Sequence, residues 1–161
     1  MIVVEPPTSS APPLRSALDP DREKASEALR DFYLRSHRLI DRMMTAQGAS
    51  FARSRLLMHI AREGPLRSID LAASFGYAPR TVTEAIDGLE RDGLVRRDPD
   101  PGDRRAKRIS LTPTGTASAK AANGVKMRYV EDIFGALDSD ECDALVDLVG
   151  KLNARLSARG G

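Results

Sequence analysis

Residues 80–115 read RTVTEAIDGLERDGLVRRDPDPGDRRAKRISLTPTG, and this stretch decides the fold. Its first part predicts a helix from Pro79 to about Asp92, because Val82, Ile86 and Leu89 recur at the spacing of one helical face. Gly93 ends that helix, and LVRRD and RISL then read as two strands joined by a turn rich in Pro, Gly and Asp. We therefore predict a helix followed by a β-hairpin.

The residues upstream supply a second, shorter helix. Leu66 lies in a short extended piece, Ser68 is placed to cap the segment IDLAASFG, and a turn at Gly76 and Tyr77 precedes the next helix. Two helices joined by a glycine-bearing turn are typical of a helix-turn-helix. With the hairpin, this predicts a mostly α (α+β) fold, a winged helix-turn-helix with a two-stranded β-wing.

Longer amphipathic helices flank this core on both sides. Asp19 and Pro20 signal the start of a helix that ends near Gly48. A helix after Ser50 has a predicted buried stripe of Leu56, Leu57, Ile60 and Ala61. Thr112 and Asp138 start two C-terminal helices, and the last carries an apolar stripe of Leu145, Leu148, Val149, Leu152 and Leu156.

These apolar stripes exceed what a small winged core can cover, so we expect them to pack against a second copy of the chain. The predicted organisation has four parts. They are a disordered Pro-rich tail (1–17), an N-terminal dimerisation helix (18–48), the winged helix-turn-helix (49–112) and C-terminal dimerisation helices (113–161).

Charge is distributed unevenly along the chain. The 161 residues contain 25 Lys and Arg against 23 Asp and Glu, a net charge of +2. The hairpin over 96–108 alone has six basic residues and three acidic ones, so the remainder is slightly acidic. A basic hairpin beside a helix-turn-helix predicts contact with double-stranded DNA.

Several other classes of protein find no support in the sequence. One cysteine and two histidines provide neither a disulfide framework nor a metal cluster, and we expect no cofactor and no metal. The sequence contains neither a phosphate-binding loop nor a nucleophile elbow, so it gives no indication of an enzyme. Signal-peptide and membrane-spanning patterns are missing too, so we expect a cytoplasmic protein without a membrane partner.

The exposed side chains of the second helix suit base recognition. Inward-facing Val82, Ile86 and Leu89 leave Arg80, Thr81, Thr83 and Glu84 on its outer face. Arg bonds guanine, the Thr methyl contacts thymine and Glu accepts from cytosine in the major groove. In the hairpin, arginines suit a narrow minor groove, Asp103 is placed to brace Arg105, and Arg96 and Arg97 are placed to meet phosphates.

The same stretch resembles the MarR family of bacterial regulators. It contains the T-V-T element, I-D-G-L-E-R-D-G-L-V, a D-P-x-D-R-R-A-type wing and the L-T-x-x-G exit, nearly without gaps. The similarity covers about residues 20–157. It implies a homodimeric transcription factor, usually a repressor, that binds a pseudo-palindromic operator.

By position, the resemblance implies major-groove contacts from the four helix residues named above and a minor-groove contact from Arg105, with Arg104 as the alternative. Lys107 belongs to the same basic wing. Two positions depart from the family pattern. Ala78 stands where many relatives have a capping, phosphate-binding Ser, and Glu84 stands where many have a basic or neutral residue.

The resemblance also implies a small aromatic or phenolic effector bound between the dimerisation helices and the winged domain. The candidate effector residues are His37, Met43, Met44, Arg55 and His59. Two alternatives remain open. Cys142 suggests redox sensing, although neighbouring carboxylates oppose thiolate formation, and a winged-helix module without DNA binding would use the same fold.

Overall fold

The computed structural model describes residues 19–103 and 105–160, so the predicted tail over 1–17 and Arg104 lie outside the described residues. In chain order the elements are α1 (Pro20–Thr45), α2 (Phe51–Glu63), β1 (Leu66–Arg67), α3 (Ser68–Phe75), α4 (Pro79–Arg91), β2 (Val95–Pro99), β3 (Lys107–Leu111), α5 (Pro113–Phe134) and α6 (Ser139–Ser157). Contacts within the chain divide it into two units, Met1–Arg38 and Leu39–Gly161, with the boundary inside α1.

In the first unit, the described residues form the N-terminal part of α1. The Asp19 carboxylate accepts from the Asp21 backbone N–H at 3.1 Å, which satisfies one of the free N–H groups at the helix start. Its apolar side chains Leu29, Phe32 and Leu34 are exposed.

The main core of the second unit is built by α2, α3, α4 and the sheet. Leu57, Leu71 and Ile86 are fully buried in it, together with Val82, Leu89 and Ile109. Each such side chain stabilises the fold by about 1.5–3 kcal/mol through removal from water. The predicted α2 stripe is confirmed for its three large residues, but Ala61 is exposed. It lies in the last turn of α2, where it borders an open cavity.

A smaller core joins the end of α1 to α5. Ile40 and Met44 pack there against Ala122, Val125 and Tyr129, which are all buried. Within the second unit, this cluster packs the last turns of α1 against α5.

The sheet contains one strand more than the predicted wing. Its antiparallel strands are ordered β1-β3-β2, with Leu66 opposite Ile109 and Arg67 opposite Arg108. Ser68 is the first residue of α3 and not its cap. The Asp70 carboxylate instead accepts from the Arg67 backbone N–H at 3.2 Å. β1 therefore joins the base of the wing directly to the helix-turn-helix.

The start of α5 makes a close contact with the chain before the wing. Thr112 caps the helix by accepting from the Gly115 N–H at 3.0 Å, and its hydroxyl donates to the Gly93 carbonyl at 2.6 Å. A Cβ atom at residue 115 would lie 1.8 Å from the Leu94 carbonyl oxygen. This close approach is the physical reason for glycine in the L-T-x-x-G exit.

α6 begins at the predicted capping box and exposes an apolar face. Asp138 and Glu141 exchange hydrogen bonds of 2.9 and 3.0 Å between side chain and backbone. No residue of α6 is buried within the described chain, and Leu148, Leu152 and Leu156 are each more than half exposed. Over the described residues, none of the helices has the length and apolar character needed to span a bilayer.

Candidate nucleic-acid interface

The first turns of α4 present a polar surface to solvent. Pro79 occupies the first helical position, and the three buried residues Val82, Ile86 and Leu89 turn the opposite face outward. On that face all four predicted base-contacting residues are exposed: Arg80, Thr81, Thr83 and Glu84. The local amphipathic pattern alone therefore places these side chains on one surface.

Two of these side chains pair with each other. The Arg80 Nε donates to the Glu84 carboxylate at 2.8 Å across one helical turn. Both groups are exposed, with 90% and 65% of the side chain accessible, so the pair contributes little to stability. Its effect is to hold the guanidinium along the helix and to offset its charge at this surface.

The two threonines differ in their hydrogen bonding. The Thr83 hydroxyl donates to the Pro79 carbonyl at 3.0 Å, so its hydrogen is already used within the helix. Within the described part of the chain, no hydrogen bond engages the Thr81 hydroxyl, so it is available to a ligand.

The N-terminus of α4 lacks a side-chain cap. Ala78 has the extended backbone of an N-cap residue (φ −60°, ψ 138°) but no side-chain acceptor. The N–H groups of the first turn therefore face solvent or an anion, and a helix N-terminus favours a negative charge such as a phosphate.

Arg96 and Arg97, which are adjacent on β2, have different partners. Arg96 is exposed and pairs with Asp98 at 2.9 Å. Hydrogen bonds from Arg96 and Ser110 lower the pKa of Asp98.

Arg97 is only 25% exposed and bridges from the wing to α4, where it pairs with Asp87 and Glu90. Burial opposes the Arg97 charge, but the hydrogen bond with Asp87 and the charge of Glu90 outweigh it and raise the Arg97 pKa. The Arg97 guanidinium thus joins the wing to α4, a role that sequence analysis did not foresee. The matching carboxylates lie 7 and 10 residues earlier, so no local pattern indicates the contact.

A second residue missed by sequence analysis lies at the base of the wing. The Asp100 side chain is 1% exposed and pairs with Arg67 at 2.9 Å and Arg108 at 2.8 Å. Hydrogen bonds from Arg67, Arg108 and the Gly102 N–H hold the pKa of Asp100 well below its usual range. The only signal in the sequence was an Asp between two prolines, which reads as a simple turn.

The wing tip carries the predicted minor-groove residue. The Asp103 carboxylate accepts from the Arg105 backbone N–H at 2.9 Å, so Asp103 contacts Arg105 through the main chain. Among the described residues, neither a hydrogen bond nor an ion pair holds the Arg105 guanidinium, and Lys107 is exposed beside it. The free charge of the wing is therefore concentrated at its tip.

An open cavity of about 750 Å³ lies between α2, α5 and the end of α3. Of the described residues, four basic side chains and no carboxylate line it: Arg55, Arg62, Lys120 and Lys126. Aromatic rings complete the wall, and the Arg55 guanidinium lies 5.0 Å from the centre of the Phe75 ring. A cavity that combines cations with aromatic surface suits an anionic aromatic molecule.

The predicted effector residues are not all at this cavity. Arg55 and His59 line it, whereas Met44 lines a separate cavity of about 280 Å³. Met43 packs beside the smaller core, and His37 lies in the first unit, with its ring 6.0 Å from that of Tyr33. Cys142 is a half-buried free thiol in the first turn of α6.

Comparison with known proteins identifies the fold and finds a family match in the central part of the chain. YwhA, an uncharacterized HTH-type transcriptional regulator of Bacillus subtilis (strain 168), is 24% identical over 120 residues, which cover 74% of this chain and 86% of YwhA. AbsC, a MarR family transcriptional regulator from Streptomyces coelicolor, has a TM-score of 0.82 at 17% identity, over 91% of this chain and 99% of AbsC.

A mutant MarR from E. coli, solved in complex with operator DNA, has a TM-score of 0.74 at 21% identity, over 85% of this chain and 99% of MarR. These likenesses confirm the predicted winged helix fold with N- and C-terminal helices. The model of the MarR family matches residues 52–107, from α2 through the helix-turn-helix to the start of β3. The helix-turn-helix and wing of this chain therefore match the MarR family of DNA-binding, winged helix-turn-helix transcriptional regulators.

Proposed function

We propose that this regulator binds a specific pseudo-palindromic operator, with α4 in the major groove and the wing tip in the minor groove, and that it acts as a repressor. The observation that supports this most is the exposed surface of α4, where Arg80, Thr81, Thr83 and Glu84 offer two donors, a methyl group and an acceptor. These functional groups distinguish base pairs in the major groove.

The wing supplies the second contact in this proposal. Arg105 has a guanidinium without a partner among the described residues, at the tip of a turn ordered by Asp103. Such an arginine is attracted to the enhanced negative potential of a narrow A·T-rich minor groove. Arg96 and Lys107 are exposed and are the proposed phosphate contacts, and Arg104 remains a candidate by sequence alone.

We propose that the DNA-binding form is a homodimer. The exposed face of α6 supports this, because an amphipathic helix with no buried residue in the described chain would gain most of its stability by packing against another surface. A two-fold dimer would present two copies of α4 to two half-sites, which accounts for a pseudo-palindrome. We propose a cytoplasmic location, because the proposed target is chromosomal DNA.

The test of DNA binding is fluorescence anisotropy with DNA from upstream of the chain's own gene, with duplexes selected from a random pool, and with random DNA as competitor. We expect tight binding that resists the competitor. Raising salt from 50 to 200 mM should reduce affinity by about a thousandfold if some six phosphates are neutralised. Binding that neither discriminates between sequences nor depends on salt would contradict the proposal.

We further propose that an anionic aromatic acid in the cavity between α2 and α5 releases the DNA. The supporting observations are the four basic side chains and the rings of Phe75 and Tyr129 around the cavity. α3 contributes Phe75 to its wall and precedes α4 by three residues, so a ligand here is placed to shift α4. Such a ligand acts only by binding the two conformations unequally.

Calorimetric titration with 2-hydroxybenzoate and its uncharged amide tests this effector class. We expect the acid to bind and to lower DNA affinity, the amide to bind weakly, and Arg55→Met to abolish the difference. Lys24→Met, on α1, is the matched control for loss of a positive charge. Equal binding of acid and amide would contradict an anion site.

A further inference from the structure

Asp100 differs from every other carboxylate in the described chain because it is buried, at 3% exposure. Burying a charge is costly unless it is paired and hydrogen-bonded. Four hydrogen-bond donors offset that cost at Asp100. Two are arginine side chains, and two are backbone N–H groups of the wing turn. Asp100 is thus held firmly in place, which a side chain that only keeps the wing soluble would not need.

The two carboxylate oxygens of Asp100 bond to different parts of the molecule. Oδ2 accepts from the Arg67 Nε at 2.9 Å and the Arg108 Nε at 2.8 Å, which joins β1 and β3. Oδ1 accepts from the backbone N–H groups of Gly102 at 2.8 Å and Asp103 at 3.2 Å, which shapes the turn. One side chain therefore connects the base of the wing to its tip.

The connection continues at both ends. At the tip, Asp103 accepts from the Arg105 N–H at 2.9 Å. At the base, Arg67 immediately precedes α3, the first helix of the helix-turn-helix. A continuous set of hydrogen bonds thus runs from the strand that enters the helix-turn-helix to the arginine at the wing tip.

We propose that Asp100 is a positioning residue for DNA binding, which sets the place of Arg105 relative to α3 and α4. This inference rests on the proposed DNA-binding function. A wing tip fixed before binding loses less conformational entropy on binding than a mobile one, so fixing it increases affinity without any contact between Asp100 and DNA.

Electrostatics and positioning predict opposite effects for the substitution Asp100→Asn. Removing a negative charge from a DNA-binding face strengthens attraction to phosphates. The asparagine keeps one acceptor oxygen, but its NH2 group must face either the two arginines or the two backbone N–H groups, which are all donors, so two of the four hydrogen bonds are lost. A loss of affinity in Asp100→Asn thus reports geometry and not charge.

The experiment is a double-mutant cycle on full-length protein, with a duplex that the wild type selects from a random pool. The variants are Asp100→Asn, Arg105→Ala and both together. Asp98→Asn, which removes the same charge from a half-exposed position on β2, is the matched control. We expect Asp100→Asn and Arg105→Ala each to reduce DNA affinity about tenfold. The double variant should lose no more affinity than the single variant with the larger loss. Asp98→Asn should bind as tightly as wild type or more tightly.

Wild-type affinity in Asp100→Asn, or losses that multiply in the double variant, would overturn the positioning role. Thermal melting checks that each variant is folded. If Asp100→Asn does not fold, Arg67→Gln replaces it in the cycle, because it leaves the Arg108 and backbone bonds of Asp100 in place.

Failure of the wild type to select any duplex would defeat the proposed function separately. Hydrogen exchange of the Gly102, Asp103 and Arg105 amides then decides the inference. Faster exchange in Asp100→Asn than in Asp98→Asn supports a tip held by Asp100, and equal exchange overturns it.

Discussion

Single arginines in this chain differ in how much of their charge remains available to a ligand. Arg97 pairs with two carboxylates of α4, Arg80 shares its charge with Glu84, and Arg105 has no side-chain partner among the described residues. In the amino-acid composition, each of these three arginines counts as one positive charge. Their partners, and not their number, determine how much of each charge remains for the proposed DNA contact.

Introducing a cap at the start of α4 should stabilise the protein. Ala78→Ser places a hydroxyl on a residue that already has the extended backbone of an N-cap, so we expect about 1 kcal/mol of added stability in urea unfolding. Ala73→Ser, inside α3, is the control and should be neutral or slightly destabilising. An unchanged midpoint for Ala78→Ser would mean that water already satisfies these N–H groups equally well.

Releasing Arg80 from Glu84 should change discrimination between sequences. Glu84→Gln removes a carboxylate from the proposed DNA surface and frees the guanidinium, so we expect tighter binding to random DNA and a smaller ratio of specific to random affinity. Competition anisotropy with both duplexes measures that ratio. A ratio that rises would show that Glu84 reads no base and only repels phosphate.

At the level of elements, the wing depends on a carboxylate whose pKa is lowered in the folded state. The stability contributed by Asp100 is fully present above the ordinary aspartate pKa of about 4 and is lost as the pH falls below it toward the lowered value. The difference in unfolding free energy between wild type and Asp100→Asn should therefore be constant from about pH 7 to 5 and shrink below pH 4. Urea unfolding across this range measures it, and a difference independent of pH would contradict the ion pairs.

The sequence predicted the elements of this fold better than the contacts between them. The helix of Val82, Ile86 and Leu89, the wing strands and the caps at Thr112 and Asp138 all follow from spacing along the chain. The pairs Arg97 with Asp87 and Arg67 with Asp100 depend on how β2 and β1 dock, and such contacts leave no periodic pattern. For the same reason, only two of the five predicted effector residues, Arg55 and His59, line the same cavity.

At the level of the whole molecule, the apolar face of α6 is the proposed dimer surface. Leu148→Asp and Leu152→Asp each place a charge on it, so we expect either variant to be a monomer or to precipitate, with specific DNA affinity lost because only one half-site remains engaged. Light scattering and anisotropy on one sample measure both. Asp147→Asn, on the same helix, is the control. A dimer of undiminished affinity in the leucine variants would place the interface elsewhere.

The contact at Gly115 has a mechanical consequence. The first turn of α5 rests against the Leu94 carbonyl with no space for a methyl group, and Thr112 bonds to the same segment. Because a packed contact without free volume leaves no room for independent movement, a displacement of α5 at Lys126 and Tyr129, which line the cavity, would also displace the start of β2. A bulkier residue at 115 would separate α5 from this segment and so weaken that coupling.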